Sequence, residues 1–231
     1  MIKKYIETSM LATLFVFASG SSNALTMDFF DYAINNDGVV NAASSGSVDP
    51  LLLGFDTNGL GTINYTITGV GNHSFDAFFD FEFDEANNTF FNESGSANGV
   101  LAAGQSWEID EPGYTFGDIY NNVLDSTLDN TNSVPAGSED DVSFALGWDF
   151  SLAAGQTAEI TLTLSDVLNT SGFYLQHTDA EVGANFDLSE SVYFWSDMTI
   201  TDGTVEVPEP TSFALLLIGL LGLSRVSRQY R

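Results

Sequence analysis

The side chains of this sequence that can do chemistry are almost all carboxylates: 32 Asp and Glu stand against two histidines and no cysteine. Two carboxyls held roughly 5 to 9.5 Å apart in a cleft can hydrolyse glycosidic bonds. Carboxylate clusters also bind hard cations through oxygen. With so many acids, pairs arise by number alone, and no couple, Glu108 with Glu111 for instance, is marked above the rest as a hydrolytic pair. His73 and His177 have no Gly-x-Ser-x-Gly elbow to serve, so no Ser–His–Asp triad is indicated. His177, just before Asp179, is expected as a polar residue at a strand end. Without cysteine there is no disulfide scaffold, thiolate zinc site, iron–sulfur cluster or cysteine nucleophile. The chain reads as a non-enzyme, with a polysaccharide-active hydrolase as the catalytic alternative.

No cofactor is expected; calcium is the ligand that this composition suits best, more as diffuse counter-ion than at one specific site. Hard cations take carboxylate and carbonyl oxygens from loops. The densest candidates are Glu108, Asp110 and Glu111, and then Glu139, Asp140 and Asp141. A third acidic run, Asp80, Glu82, Asp84 and Glu85, alternates with Phe79, Phe81 and Phe83, which predicts a solvated sheet face first and a metal site second. No EF-hand loop is present. A carbohydrate-binding module is the other alternative, with Trp107, Tyr114, Trp148 and Trp195 as candidate platforms, although buried aromatics usually build the core.

The five cations are Lys3, Lys4, Arg225, Arg228 and Arg231, all near the ends. Between Leu25 and Pro208 there is no Lys or Arg, and all the acids but Glu7 and Glu209 fall there, giving that body a charge of about −30. Such a surface repels nucleic acid and anionic lipid, and excludes nucleic-acid binding. It meets an acidic exopolysaccharide only through divalent cations. Hydrophobic content of 44% nevertheless predicts a folded chain rather than a disordered acidic one.

The two ends read as addresses. Lys3 and Lys4, the apolar run Met10–Ala18 and the small residues Ser22-Asn23-Ala24 lay out a signal peptide over 1–24, which engages the export machinery. At the other end Pro208-Glu209-Pro210 is followed by an uncharged Leu- and Gly-rich run, Thr211–Ser224, and then by Arg225, Arg228 and Arg231. At 1.5 Å per residue that run spans about 21 Å, short of the roughly 30 Å hydrocarbon core, and predicts a short, transient transmembrane helix. The arginines hold its end on the cytoplasmic side.

This tail resembles the PEP-CTERM sorting signal of exported bacterial proteins, a signal also labelled an ice-binding protein C-terminal domain, which is no evidence for ice binding. The resemblance rests on Pro208, Glu209, Pro210, the run Phe213–Leu223 and the three arginines. It implies cutting by an exosortase, a passing single-span stage in the inner membrane, and a destination at the cell surface or outside, often in biofilm. It implies no activity for the body. The stretch from Phe116-Gly117-Asp118 through Ala145-Leu146-Gly147-Trp148 to Gly172-Phe173-Tyr174-Leu175 resembles a body type that recurs among such proteins, which again implies only fold and localisation.

These residues need elements to position them. Apolar and polar residues alternate through Ile63–Thr68, Phe75–Asp84 and Ile160–Ser165, the period of a strand with one buried face. Further β-rich runs at Thr26–Ile34, Val142–Phe150, Gly172–His177 and Ser191–Thr201 bring the number to eight to ten strands. The expected fold is all-β, an antiparallel sandwich of the Ig-like or jelly-roll-like kind, as one domain over 25–206. Asn36–Asp49 and Asn121–Asp141 read as long loops, the second with one helical turn over Asn121–Leu128. The pentapeptide Leu-Ala-Ala-Gly-Gln occurs at 101–105 and again at 152–156, which predicts the same glycine turn used twice between strands.

Overall fold

The computed structural model describes residues 25–83, 90–113, 116–168, 171–179 and 190–203. The signal segment, the sorting tail, Asp84, Glu85 and Tyr114 lie outside them. The described chain is an antiparallel sandwich of two five-stranded sheets. The first sheet orders its strands β2 (Val39–Val48), β1 (Met27–Asn36), β4 (Gly71–Phe83), β7 (Ser143–Leu152) and β6 (Gln105–Asp110). The second orders β3 (Gly61–Thr68), β8 (Gln156–Ser165), β10 (Glu190–Asp202), β9 (Tyr174–Asp179) and β5 (Glu93–Asn98). Two short helices, α1 (Pro50–Leu53) and α2 (Ile119–Asp125), complete it.

Phenylalanine fills the space between the sheets. Phe29, Phe79, Phe81, Phe144 and Phe194 are all buried there, with Phe29 edge-on to Phe79 and Phe81 stacked on Phe144. Aromatic rings of this size supply most of the apolar area such a core removes from water. Gly95 on β5 is part of this fit: a Cβ there would run into the Ile109 side chain.

Three features differ from the sequence expectation. Asn36–Asp49 is a strand rather than a loop. Asp37 and Gly38, at φ 52° and 80°, turn β1 back into β2, and Asp-Gly is a favoured pair for such a hairpin. The first sheet is also buried on both faces. Ala33, Phe78 and Ala145 on its outer side are covered by Ile119 and Val123 of α2, and Asn35 fixes the helix end by donating to the carbonyls of Val123 and Leu124, each at 2.9 Å. His177, finally, is no surface residue at a strand end but lies buried in the core, its ring against Phe83 and Phe144.

The repeated pentapeptide makes one turn twice, and both copies carry the chain from one sheet to the other. Gly104 and Gly155 adopt φ 81° and 83°. Gln105 Oε1 accepts from Ala102 N at 3.1 Å and Gln156 Oε1 from Ala153 N at 2.8 Å.

Candidate metal centre

At one end of the sandwich the strands bring together acids from four parts of the chain. Asp80 and Glu82 sit two residues apart on β4 and so share its outer face. The expectation of a solvated face fails here: Asp80 is 5% exposed and Glu82 3%. The reason is tertiary, because the outer face of this sheet is covered, and periodicity along one strand cannot report a cover supplied from elsewhere.

Asp31 arrives through a β-bulge in β1, where Phe29 faces Phe81 but Asp31 already faces Asp80. Bulges re-aim side chains, and here the consecutive residues Phe30 and Asp31 both line one cavity of about 420 Å³. Asp80, Glu82, Phe90 and Asp141 line it too. Asp141 reaches it because β7 stops pairing with β4 at Ser143, opposite Asp80, leaving the preceding loop to fold over the strand end. Asp140 N secures that loop to Glu93 O at 3.1 Å.

Carboxylate oxygens of Asp80, Glu82 and Asp141 lie within 4.8 Å of one another. Glu82 also belongs to a second trio with Glu93 and His177, in which His177 Nε2 and Glu93 Oε2 are 2.5 Å apart and both residues are 1% exposed at the side chain. Glu82 Oε2, Glu93 Oε1 and Asp141 Oδ1 are buried without a hydrogen-bond partner. Burial, together with the charge of Glu93, a hydrogen bond to its carboxylate and the charges of Asp80 and Asp141, pushes the Glu82 carboxyl well above the usual carboxylate range. Burial likewise pushes Asp141 up to about 6, against a hydrogen bond with the Glu82 carboxyl, with Glu93, Asp140 and Glu111 adding to the rise. A buried carboxylate costs several kcal/mol unless paired, and the described residues contain no Lys or Arg to pair it. A proton or a cation must do so.

The six acids singled out in the sequence fall in different places. Glu108 and Asp110, on β6, meet Asp118 rather than Glu111. Both Glu108 oxygens accept from Asn122 Nδ2, at 2.9 and 3.1 Å, and Asp110 Oδ2 accepts from Asp118 N at 2.8 Å. Burial pushes Glu108 up to about 7, with Asp129 and Asp118 adding to it against those hydrogen bonds. Glu111 and Asp140 line a neighbouring cavity of about 440 Å³ with Asp141. Glu139 is fully solvated, and Gly137 N, donating at 2.7 Å, holds its carboxyl below the usual range. Of the run 139–141, then, only Asp141 joins the buried trio. Sequence reasoning did not single out Asp31, Glu93 or His177 as members of a site. Phe78, an apolar residue between Asp76 and Asp80 on the supposedly polar face, was the signal that this face is covered.

The aromatic candidates divide as well. Trp148 is buried and donates from Nε1 to Ser196 Oγ at 3.0 Å, which removes it as a platform. Trp195 is half-buried, and Trp107, also half-buried, lines a cavity of about 590 Å³ with Ser94, Ser96 and Asn132.

Among the described residues no helix is long and apolar enough to cross a membrane; the expected span falls in the tail beyond them. No curated protein and no solved structure matches the chain. One family model does match, over residues 206–229, and its description is the PEP-CTERM protein-sorting motif. Pro208, Glu209, Pro210, Arg225 and Arg228 all fall inside that match. The chain carries a PEP-CTERM sorting motif, and with it the mark of an exported protein targeted to an exosortase.

Proposed function

We propose that this chain is a non-catalytic β-sandwich that is exported, cut near Pro208-Glu209-Pro210 by an exosortase-type enzyme, and delivered to the cell surface or the extracellular matrix, where biofilm exopolysaccharide is its neighbour. The sorting motif at 206–229 carries this reading. Two features support a body without catalysis. Glu108, whose raised pKa would suit a general acid, has Asn122 of α2 on both its oxygens and is 1% exposed. Oxygens of Asp80, Glu82 and Asp141 crowd within 4.8 Å of one another, an arrangement that suits one bound cation.

A second reading, an adhesion module that takes calcium or carbohydrate, is favoured by the acid cluster and by the cavity beside Trp107. Calcium would then also bridge the anionic body to anionic polysaccharide. Intact-mass analysis of the protein released by the producing cell tests the sorting reading. The expected mass lacks Phe213–Arg231, and a released form that retains them contradicts it.

A further inference from the structure

We infer that Asp80, Glu82 and Asp141 form a calcium site that pins the loop before β7 onto the end of β4. The inference stands on the body and is independent of how the chain is sorted.

Three observations carry it. Oxygens from the three carboxylates already lie within 4.8 Å of one another, close enough to ligate one ion. Glu82 lines the adjoining cavity at 3% exposure, and its Oε2 lacks a hydrogen-bond partner. A carboxylate so placed demands either a proton or a cation. The cavity, about 420 Å³, has room for the waters that complete a coordination shell, and Asp31 lines its other side.

The ligand chemistry selects the ion. Calcium takes six to eight oxygens at roughly 2.3–2.6 Å in flexible geometry, which suits carboxylates from a strand and a loop. Magnesium demands near-ideal octahedral geometry and sheds water reluctantly. Zinc prefers nitrogen or sulfur, and the imidazole nearby, that of His177, is already held by Glu93. Closing the ion across Glu82 and Asp141 ties residues 59 positions apart, so binding stabilises the folded form by mass action.

The test is calorimetric titration of the chelator-stripped full chain, held in detergent for its apolar tail, with CaCl₂, MgCl₂ and ZnCl₂ separately. At about 0.15 M NaCl charges more than about 8 Å apart are screened, which suppresses diffuse counter-ion binding. The expected result is one calcium per chain with Kd in the range of extracellular modules, about 0.1–1 mM. Magnesium should bind more weakly. Glu82→Gln and Asp141→Asn should each lower calcium affinity by at least about tenfold, while Glu139→Gln leaves it unchanged. Both substitutions can be checked for folding by melting without calcium. There Glu82→Gln should raise Tm, because it puts a neutral amide in place of one of three carboxyls crowded within 4.8 Å of one another, yet abolish the calcium-induced rise. That opposite pair of signs is not what a merely structural acid would give. Overturning results are no saturable calcium binding, binding unaltered by both substitutions, or zinc in place of calcium, which would assign the ion to Glu93 and His177.

Discussion

Two acid clusters lie within this sandwich, and they are built differently. Glu108, Asp110 and Asp118 sit where β6 meets α2, and amides serve their oxygens: Asn122 Nδ2 on both oxygens of Glu108 and Asp118 N on Asp110. Asp80, Glu82 and Asp141 sit at the end of β4, where carboxylates face carboxylates and Glu82 Oε2 and Asp141 Oδ1 go unserved. Both clusters have three acids in reach of one ion. What separates them is the supply of donors. Hydrogen bonds to a charged group are worth about 1.5–3 kcal/mol each, and a buried acid without them carries its full desolvation penalty. The first cluster is thus a finished structural joint, and the second is left for a proton or a cation to complete.

The largest way to break this contrast is to strip the donors from the first cluster. Asn122→Ala leaves Glu108 buried without its side-chain amide and should cost about 2–3 kcal/mol in urea unfolding. The same substitution should not create calcium dependence. Stability unchanged from the parent would show that Glu108 does not need the amide, and the contrast would fail.

A smaller effect comes from Asp76, a further outer-face acid of β4, 4% exposed, with the Ser126 hydroxyl and Asp149 facing it. Burial pushes its carboxyl from 3.8 up to about 6, with Asp149 adding to it against the Ser126 hydrogen bond. Between those values the folded state binds more protons than the unfolded one, so this group makes stability rise as pH falls from 6 towards 4. Its penalty is fully present above about pH 6. Asp76→Asn should therefore raise stability by about 2 kcal/mol at pH 8 and by almost nothing at pH 4. Chemical melts across that range check the slope, and a gain of equal size at both ends would contradict the assignment.

Much of the architecture was readable along the chain because period-2 alternation is a local signal. The strands around Ile63–Thr68 and Ile160–Ser165 follow it directly, and the two Leu-Ala-Ala-Gly-Gln turns repeat because the same five residues supply both the left-handed glycine and the glutamine cap. β2 was missed because Val39–Val48 is rich in Ser, Asn and Gly, which read as loop. Its hairpin partner and the Asp37-Gly38 turn, not its own propensity, make it a strand. The acid cluster was legible only in part. Asp80 and Glu82 were visible as a run, but whether they are wet depends on what covers that face, and Asp141 joins them through the point where β7 stops pairing, 59 residues away. Nor does spacing show the β1 bulge that turns Asp31 into the same cavity.

The sorting motif and the acid cluster make separate claims, and the second is the one that the geometry of the body can decide. The most direct measurement is a crystal of the protein grown with calcium and examined by anomalous scattering at long wavelength. The account predicts one strong peak about 2.3–2.6 Å from oxygens of Asp80, Glu82 and Asp141, with nothing at Glu108, Asp110 and Asp118. A peak at the amide-served cluster instead, or calcium only on surface carboxylates, would contradict it.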